Sequence, residues 1–408
     1  MRQAITKLLG ISCVILSLLV LATSLSSVEG ASVPTISVGG TPYDAALTPD
    51  GKYLYVANFE NVSVIDTATN KVAASIVTEK FPMGIAITPD GKYAYVTHSN
   101  PESPIASLIS TETNTVVATI TLEHFPNEGI AITHDGKYVY LTNVEGWVMV
   151  ISTKTNKVTE NIFIAPRDPD WTDPTTGITI PSSSDPHSVA LSPDDKYAYV
   201  GTHDLRCIVI DVSTNKIVKT IELESGIYDI VVAPDGKNLY ATTGLDKILI
   251  IDTAANAVTA TLTGFGSHQS IAITSDSKYA YVPNFWNNTV LVLNTATNTV
   301  DKTITVGPEP RGIVFTPDGK HAYVTCDTDG SGAYDTGTVW VLSISKDSTL
   351  SQATPQATPP ATEFPVQTLI ISVLVIIIAI SAGIIFVKTK PWKKQSTNTH
   401  RMLTLTLS

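Results

Sequence analysis

Cysteine, positive charge and local catalytic signatures are all scarce in this chain of 408 residues. It carries three cysteines, and only 15% of its residues are charged, with 26 Lys and Arg against 37 Asp and Glu. No Gly-x-Ser-x-Gly elbow, phosphate-binding glycine loop, paired-cysteine motif or His-Glu-x-x-His run occurs, which excludes the enzyme and metal classes that announce themselves locally. The whole-chain charge of −11, less +1 at residues 1–30 and +5 at residues 366–408, leaves −17 on residues 31–365. A surface so acidic excludes nucleic acid as a partner, because phosphates need Lys and Arg.

What charge there is avoids two long apolar runs. Residues 1–30 have a basic start (Arg2, Lys7), an apolar stretch from Leu8 to Ala22 and a small polar close, the layout of a secretory signal peptide. Residues 346–365, rich in Ser, Thr and Pro, read as a stalk. Val366 to Val387 is uncharged and long enough to cross a ~30 Å hydrocarbon core as a transmembrane helix. Lys388, Lys390, Lys393 and Lys394 follow at once, so a cytoplasmic tail at 388–408 is expected, with residues 31–345 exposed at the cell surface.

Within 31–345 one phrase, Thr-Pro-Asp-Gly-Lys-Tyr-x-Tyr-Val, recurs seven times, beginning at Thr48, Thr88, Thr133, Ser192, Ala233, Thr274 and Thr316. The spacings of 40, 45, 59, 41, 41 and 42 residues suit one four-stranded propeller blade per repeat. The expected fold is therefore all-β, a seven-bladed β-propeller. Pro-Asp-Gly-Lys makes a tight turn between strands one and two of each blade, with Gly supplying positive φ. Asn70, Asn114, Asn156, Asn215, Asn256 and Asn298 serve the turn between strands three and four in the same way. Repeat seven lacks a fourth strand, and Thr35 to Val38 can supply it and close the ring. Cys207 and Cys326 fall on about opposite blades, so no disulfide between them is expected.

The tetrapeptides Tyr-Val-Ala-Asn (55–58), Tyr-Val-Thr-His (95–98), Tyr-Leu-Thr-Asn (140–143) and Tyr-Val-Pro-Asn (281–284), with Ile-Asp-Thr-Ala-Thr-Asn-Lys (65–71), resemble the YVTN-type β-propeller repeat proteins, which include archaeal surface-layer-like proteins. The resemblance spans roughly residues 31–345 and implies an exported, surface-exposed seven-bladed propeller.

Loop lengths separate two faces. One face carries the uniform turns, and the other carries nearly all length variation, at 98–106, 165–185 and 327–338. Elaborated loops on a rigid scaffold are where function sits. Around the channel mouth on that face, Tyr43, Glu128, His187, Tyr228, Gln269 and Arg311 start their innermost strands, while His98, Asn143 and Asn284 close second strands. All nine are candidate ligand-binding residues for a sugar, peptide or small acid. Asp327, Asp329 and Asp335 sit around glycines as oxygen ligands of a Ca2+ loop would. Asn61 and Asn287 fit the N-glycosylation pattern. The expectation drawn from these residues is a membrane-anchored, non-enzymatic module for binding, adhesion or contact with a cell-envelope component, a glycan or a protein. The alternative is an extracytoplasmic propeller enzyme, a lactonase-like hydrolase, lyase or dehydrogenase-like protein, with its site at the channel mouth.

Overall fold

The computed structural model describes residues 34–344 except 101, 166–169, 173–178, 182–183, 245, 265, 267–269 and 329–335. The signal peptide, stalk, transmembrane helix and tail expected from the sequence lie outside these residues. Among the described residues no helix is long and apolar enough to cross a membrane.

Seven four-stranded antiparallel sheets follow one another in chain order, each running from an innermost to an outermost strand. Blade one is Pro42–Leu47, Tyr53–Asn58, Asn61–Asp66 and Lys71–Val77. Blade seven is Pro310–Phe315, His321–Cys326 and Thr338–Ser343, completed on its outer side by Thr35–Ser37. That closing strand pairs antiparallel with Thr338–Ser343, Thr35 opposite Trp340 and Ser37 opposite Thr338. A two-stranded hairpin, Asp170–Thr172 with Thr179–Pro181, interrupts the connection between blades three and four.

The turn chemistry explains why each repeat folds alike. Gly51, Gly91, Gly136, Gly236 and Gly319 have φ of +67° to +73°, and Asp195 and Ser277 adopt the same region at +55° and +58°. The six turn asparagines lie at +51° to +55°, the left-handed conformation that Asn tolerates best among residues with a side chain.

The core lies between blades. Tyr55, Val62 and Val64 of blade one, for instance, pack on Ile85, Ala94 and Val96 of blade two. At the closing seam Ile36 and Val38 join Leu54 and Val56 of blade one and Val339 and Val341 of blade seven. Each aliphatic side chain so buried contributes about 1.5–3 kcal/mol. Cys207 and Cys326 are buried free thiols in this layer, and burial pushes the Cys207 thiol up to about 12.

Polar ties join the same seams. The second-strand tyrosine of one blade donates its hydroxyl to the turn asparagine of the next: Tyr55 to Asn114 (2.5 Å), Tyr95 to Asn156 (2.6 Å) and Tyr140 to Asn215 (2.7 Å). Tyr323 reaches Asn70 at 3.2 Å, across the closing seam. One residue pair thus supplies both the left-handed turn and the lock between neighbours. Tyr140→Phe is expected to cost about 1 kcal/mol, the worth of one such bond, measured as a lowered urea midpoint with an unchanged slope.

Both ends of the described chain leave on the turn face. The Val341 amide bonds to the Pro34 carbonyl at 3.0 Å, and the Ile344 amide bonds to Lys320 in the blade-seven turn at 2.7 Å. The opposite face is left to the long connections and the channel mouth.

Candidate functional site

The site is built by a repeated irregularity at the start of the innermost strands. Pairing with the second strand shifts register between Pro42 and Asp44, Pro82 and Ile85, Pro126 and Ile130, Pro186 and Ser188, Ile227 and Asp229, and Pro310 and Ile313. Proline, which has no N–H to give, suits the first residue of such a strand, and the bulge turns the residues after it away from the regular ladder. Tyr43, Glu128, His187, Tyr228 and Arg311 are those residues, and all five line one axial cavity of about 300 Å³. Gln269, the sixth expected there, lies outside the described residues.

A second ring lies one residue further along the same strands: Asp44, Gly84, Gly129, Ser188, Asp229, Ser270 and Gly312. Small residues are forced here by the crowding of strands at the axis. A Cβ on Gly84 would fall 2.1 Å from the Glu128 carbonyl oxygen, and one on Gly129 would fall 2.6 Å from that of His187. The two aspartates bridge the seam instead. Asp44 accepts from its neighbour Ala45 N (2.7 Å) and from Ile85 N of blade two (3.0 Å). Asp229 accepts from Ser188 Oγ (2.7 Å), Ile230 N (2.8 Å) and Ile271 N of blade six (3.0 Å).

Both residues line the cavity and are largely enclosed by protein. Burial pushes Asp44 up to about 7, against the two backbone bonds that pull it down, and the nearby carboxyls of Asp229 and Glu128 add to the rise. Burial raises Asp229 as well, opposed by its bonds to Ser188 and the backbone.

Two neighbouring histidines have their ring protons fixed by hydrogen bonds. His187 Nδ1 lies 2.8 Å from the Tyr228 carbonyl, so it carries the hydrogen and leaves Nε2 with a lone pair. His203 Nδ1 lies 2.7 Å from Asp185 Oδ2, which sets the same tautomer. The rings of His187, His203 and Tyr228 pack together, with centroids 4.4–5.2 Å apart.

Arg311 is the cation of the cavity. Its Nε donates to Asp327 Oδ1 at 2.5 Å, and its guanidinium lies over the rings of Tyr43 (4.9 Å) and Phe285 (5.1 Å). Burial works against its charge, yet the bond to Asp327 holds Arg311 above its ordinary value. Burial raises the Tyr43 hydroxyl, with Arg311 pulling the other way.

The residues closing second strands are placed differently, because only the innermost strand reaches the axis. His98 is buried inside blade two with Nε2 2.8 Å from Ser107 Oγ, and burial lowers it to about 4. Asn143 Oδ1 accepts from Glu145 N (3.1 Å) and Trp147 N (2.6 Å), and Asn284 Oδ1 accepts from Asn287 N (3.3 Å). His98, Asn143 and Asn284 therefore brace hairpins and do not line the cavity. In the glycine-rich loop, Asp327 is committed to Arg311, while Asp329 and Asp335 lie outside the described residues. Asn61 Oδ1 accepts from Asn58 Nδ2 at 3.1 Å, whereas Asn287 is exposed.

Sequence reasoning missed Asp44, Asp229 and Asp185. The first two had a signal: aligned on Pro-Asp-Gly-Lys, theirs is a column of Gly and Ser interrupted twice by Asp. A larger cleft of about 730 Å³ lies between blades two and three among the repeated turns, lined by Asp90, Asp135 and Lys154. It gathers residues of two blades only, whereas the axial cavity gathers titratable groups from five.

Residues 64–333 match the family model described as "Lactonase, 7-bladed beta-propeller". Among solved structures, hydrazine synthase of Kuenenia stuttgartiensis is similar at 22% identity with a TM-score of 0.65, covering 76% of this chain and 97% of the other. That likeness is one of fold. A search of curated proteins found no match. The family match overturns the expectation of a non-enzymatic adhesion module. That expectation leaned on the absence of local catalytic motifs, but a propeller assembles its site from single residues on separate blades, so no contiguous motif need exist.

Proposed function

This chain belongs to the seven-bladed β-propeller lactonase family, and from that premise we propose that it hydrolyses a cyclic ester in the axial cavity. The observation that carries the reading is the convergence of a histidine with a free ring nitrogen, a carboxyl held near neutrality and an arginine in one cavity.

Each group has a role suited to ester hydrolysis. His187 Nε2 takes a proton from water as the oxygen attacks the ring carbonyl, and Tyr228 holds the imidazole in the needed tautomer. Arg311 stabilises the negative charge that develops on the carbonyl oxygen, from a position fixed before reaction by Asp327, Tyr43 and Phe285. Protonated Asp44 gives its proton to the ring oxygen as the C–O bond breaks. Water and lactone leave as one open hydroxy acid, with the proton taken by His187 returned to solvent or to Asp44.

The test is a pH-stat assay of the purified full chain on a panel of five- and six-membered lactones. Turnover above spontaneous hydrolysis is expected, falling as pH rises through about 7 because Asp44 must be protonated. Asp44→Asn is expected to lose about 10²-fold and to lack that alkaline limb. Stability gives an independent check. A carboxyl raised in the folded state loses stability for the fold as pH climbs from its ordinary value of 3.8 toward 7, so Asp44→Asn is expected to resist urea better than the parent at pH 8.5 than at pH 5. No lactone turned over above background, across the panel, overturns the proposal.

The finer expectations of an exported protein tethered by residues 366–387 fit this activity. The apolar runs of the sequence support export and a membrane tether.

A further inference from the structure

Two of the groups facing the axial cavity are backed in the same way by their own blades. Arg311 follows Pro310, which pairs with Cys326, and the residue after Cys326 is the Asp327 that holds the guanidinium at 2.5 Å. His187 follows Pro186, which pairs with Thr202, and the residue after Thr202 is the His203 whose ring packs on His187 with centroids 4.4 Å apart. Behind His203 stands Asp185, with Oδ2 2.7 Å from His203 Nδ1.

The fold accounts for the backbone at this place but not for the side chains. The His203 amide bonds to the Asp185 carbonyl at 3.1 Å, and the same bond ties Phe59 to Thr41, Ser99 to Phe81 and Asp327 to Glu309. Phe81 and Glu309 share the positive φ of Asp185, at +58° and +53° against +40°. Of these four places, blade four alone sets a carboxylate on an imidazole. Among the described residues Asp185 pairs with no lysine or arginine, and its Oδ1 is buried without a hydrogen-bond partner. Its charge is answered through His203.

We infer that Asp185 and His203 are positioning residues for His187: the carboxylate polarises the His203 ring, and that ring steadies the positive charge His187 takes on with its proton. The inference rests on the reading of His187 as the base. The ring planes of the two histidines lie 30° apart, a stacked and not an in-line arrangement, so the pair acts on charge and passes no proton. The other titratable groups around His187 are Glu128 of blade three, Tyr228 and Asp229 of blade five, and Tyr43, Asp44 and Arg311 across the cavity.

Asp185→Asn is the decisive variant, because asparagine tolerates the left-handed backbone and keeps an oxygen for the His203 hydrogen while losing the charge. The full chain and the variant are compared by the pH dependence of lactone hydrolysis and by NMR titration of the His187 imidazole, assigned through His187→Gln. In Asp185→Asn, kcat is expected to fall about tenfold with KM changed less than about twofold. The acid limb of kcat and the His187 titration are both expected to move to lower pH, since a lost negative charge no longer favours the protonated ring. Asp185→Asn with His203→Phe keeps a ring against His187 without leaving a carboxylate unpaired, and the same displacement is expected, so either variant suffices. An acid limb and a His187 titration that both stay in place overturn the inference and leave the hydrolase reading standing. If the parent turns over no lactone, the hydrolase reading falls and the NMR titration decides alone: a displaced His187 midpoint keeps the electrostatic link, and an unmoved one removes it.

Discussion

Replacing Arg311 by methionine is expected to lower kcat for lactone hydrolysis by about 10²- to 10³-fold, the usual loss when one donor to a developing oxyanion is removed. Methionine keeps an apolar stem between Tyr43 and Phe285, so packing is largely preserved. The single substitution, however, leaves Asp327 buried without its partner, which itself costs about 3–5 kcal/mol. The informative variant is therefore Arg311→Met with Asp327→Asn, which removes both charges together. It is expected to unfold near the parent and still to show the loss in kcat, with KM changed far less. Arg311→Lys restores charge without the planar fork and is expected to recover only part of the rate. A double variant that keeps the parent kcat would remove Arg311 from the chemistry.

The second large effect is on stability. Gly84→Ala is expected to cost about 3 kcal/mol, the upper range for a methyl forced into a packed interior. The clash is with backbone, 2.1 Å to the Glu128 carbonyl oxygen, and backbone at the axis has nowhere to move. Relief would require blade three to shift outward and carry Glu128 with it. The variant is expected to lose stability and lactone turnover together, whereas Ser75→Ala on an exposed outer strand should change neither. Urea unfolding of both variants checks this.

Residues that act through the backbone are legible in the amino-acid sequence itself. The seven turns, their left-handed glycines and asparagines and the borrowed strand at Thr35 all follow from local rules, and each repeat states them again. Position relative to the axis is much less legible. His187 and His98 are both histidines at strand ends on the same face, yet one lines the cavity and the other is sealed beside Ser107, because the first opens an innermost strand and the second ends the strand behind it. Asp44 and Asp229 are hidden for the opposite reason. They occupy a column whose character is smallness, and only the seam-spanning bonds to Ile85 and Ile271 explain how an aspartate fits where glycine is otherwise needed. Chemistry is least legible, because a site contributed one residue per blade leaves no word in the sequence to read.

The closing strand also decides how the ring responds to force. Pro34 and Ile344 are adjacent ends of one antiparallel pair, held by a short ladder from Thr35 opposite Trp340 to Ser37 opposite Thr338. Tension applied at both ends at once would load that ladder as a zipper, breaking its bonds one at a time and drawing Ile36 out of the seam between blades seven and one. Tension applied at Ile344 alone, with the other end slack, pulls on the third strand of blade seven, which is bonded on both sides. A ring fastened from one end only is the mechanically safer arrangement, and it keeps the cavity intact under load.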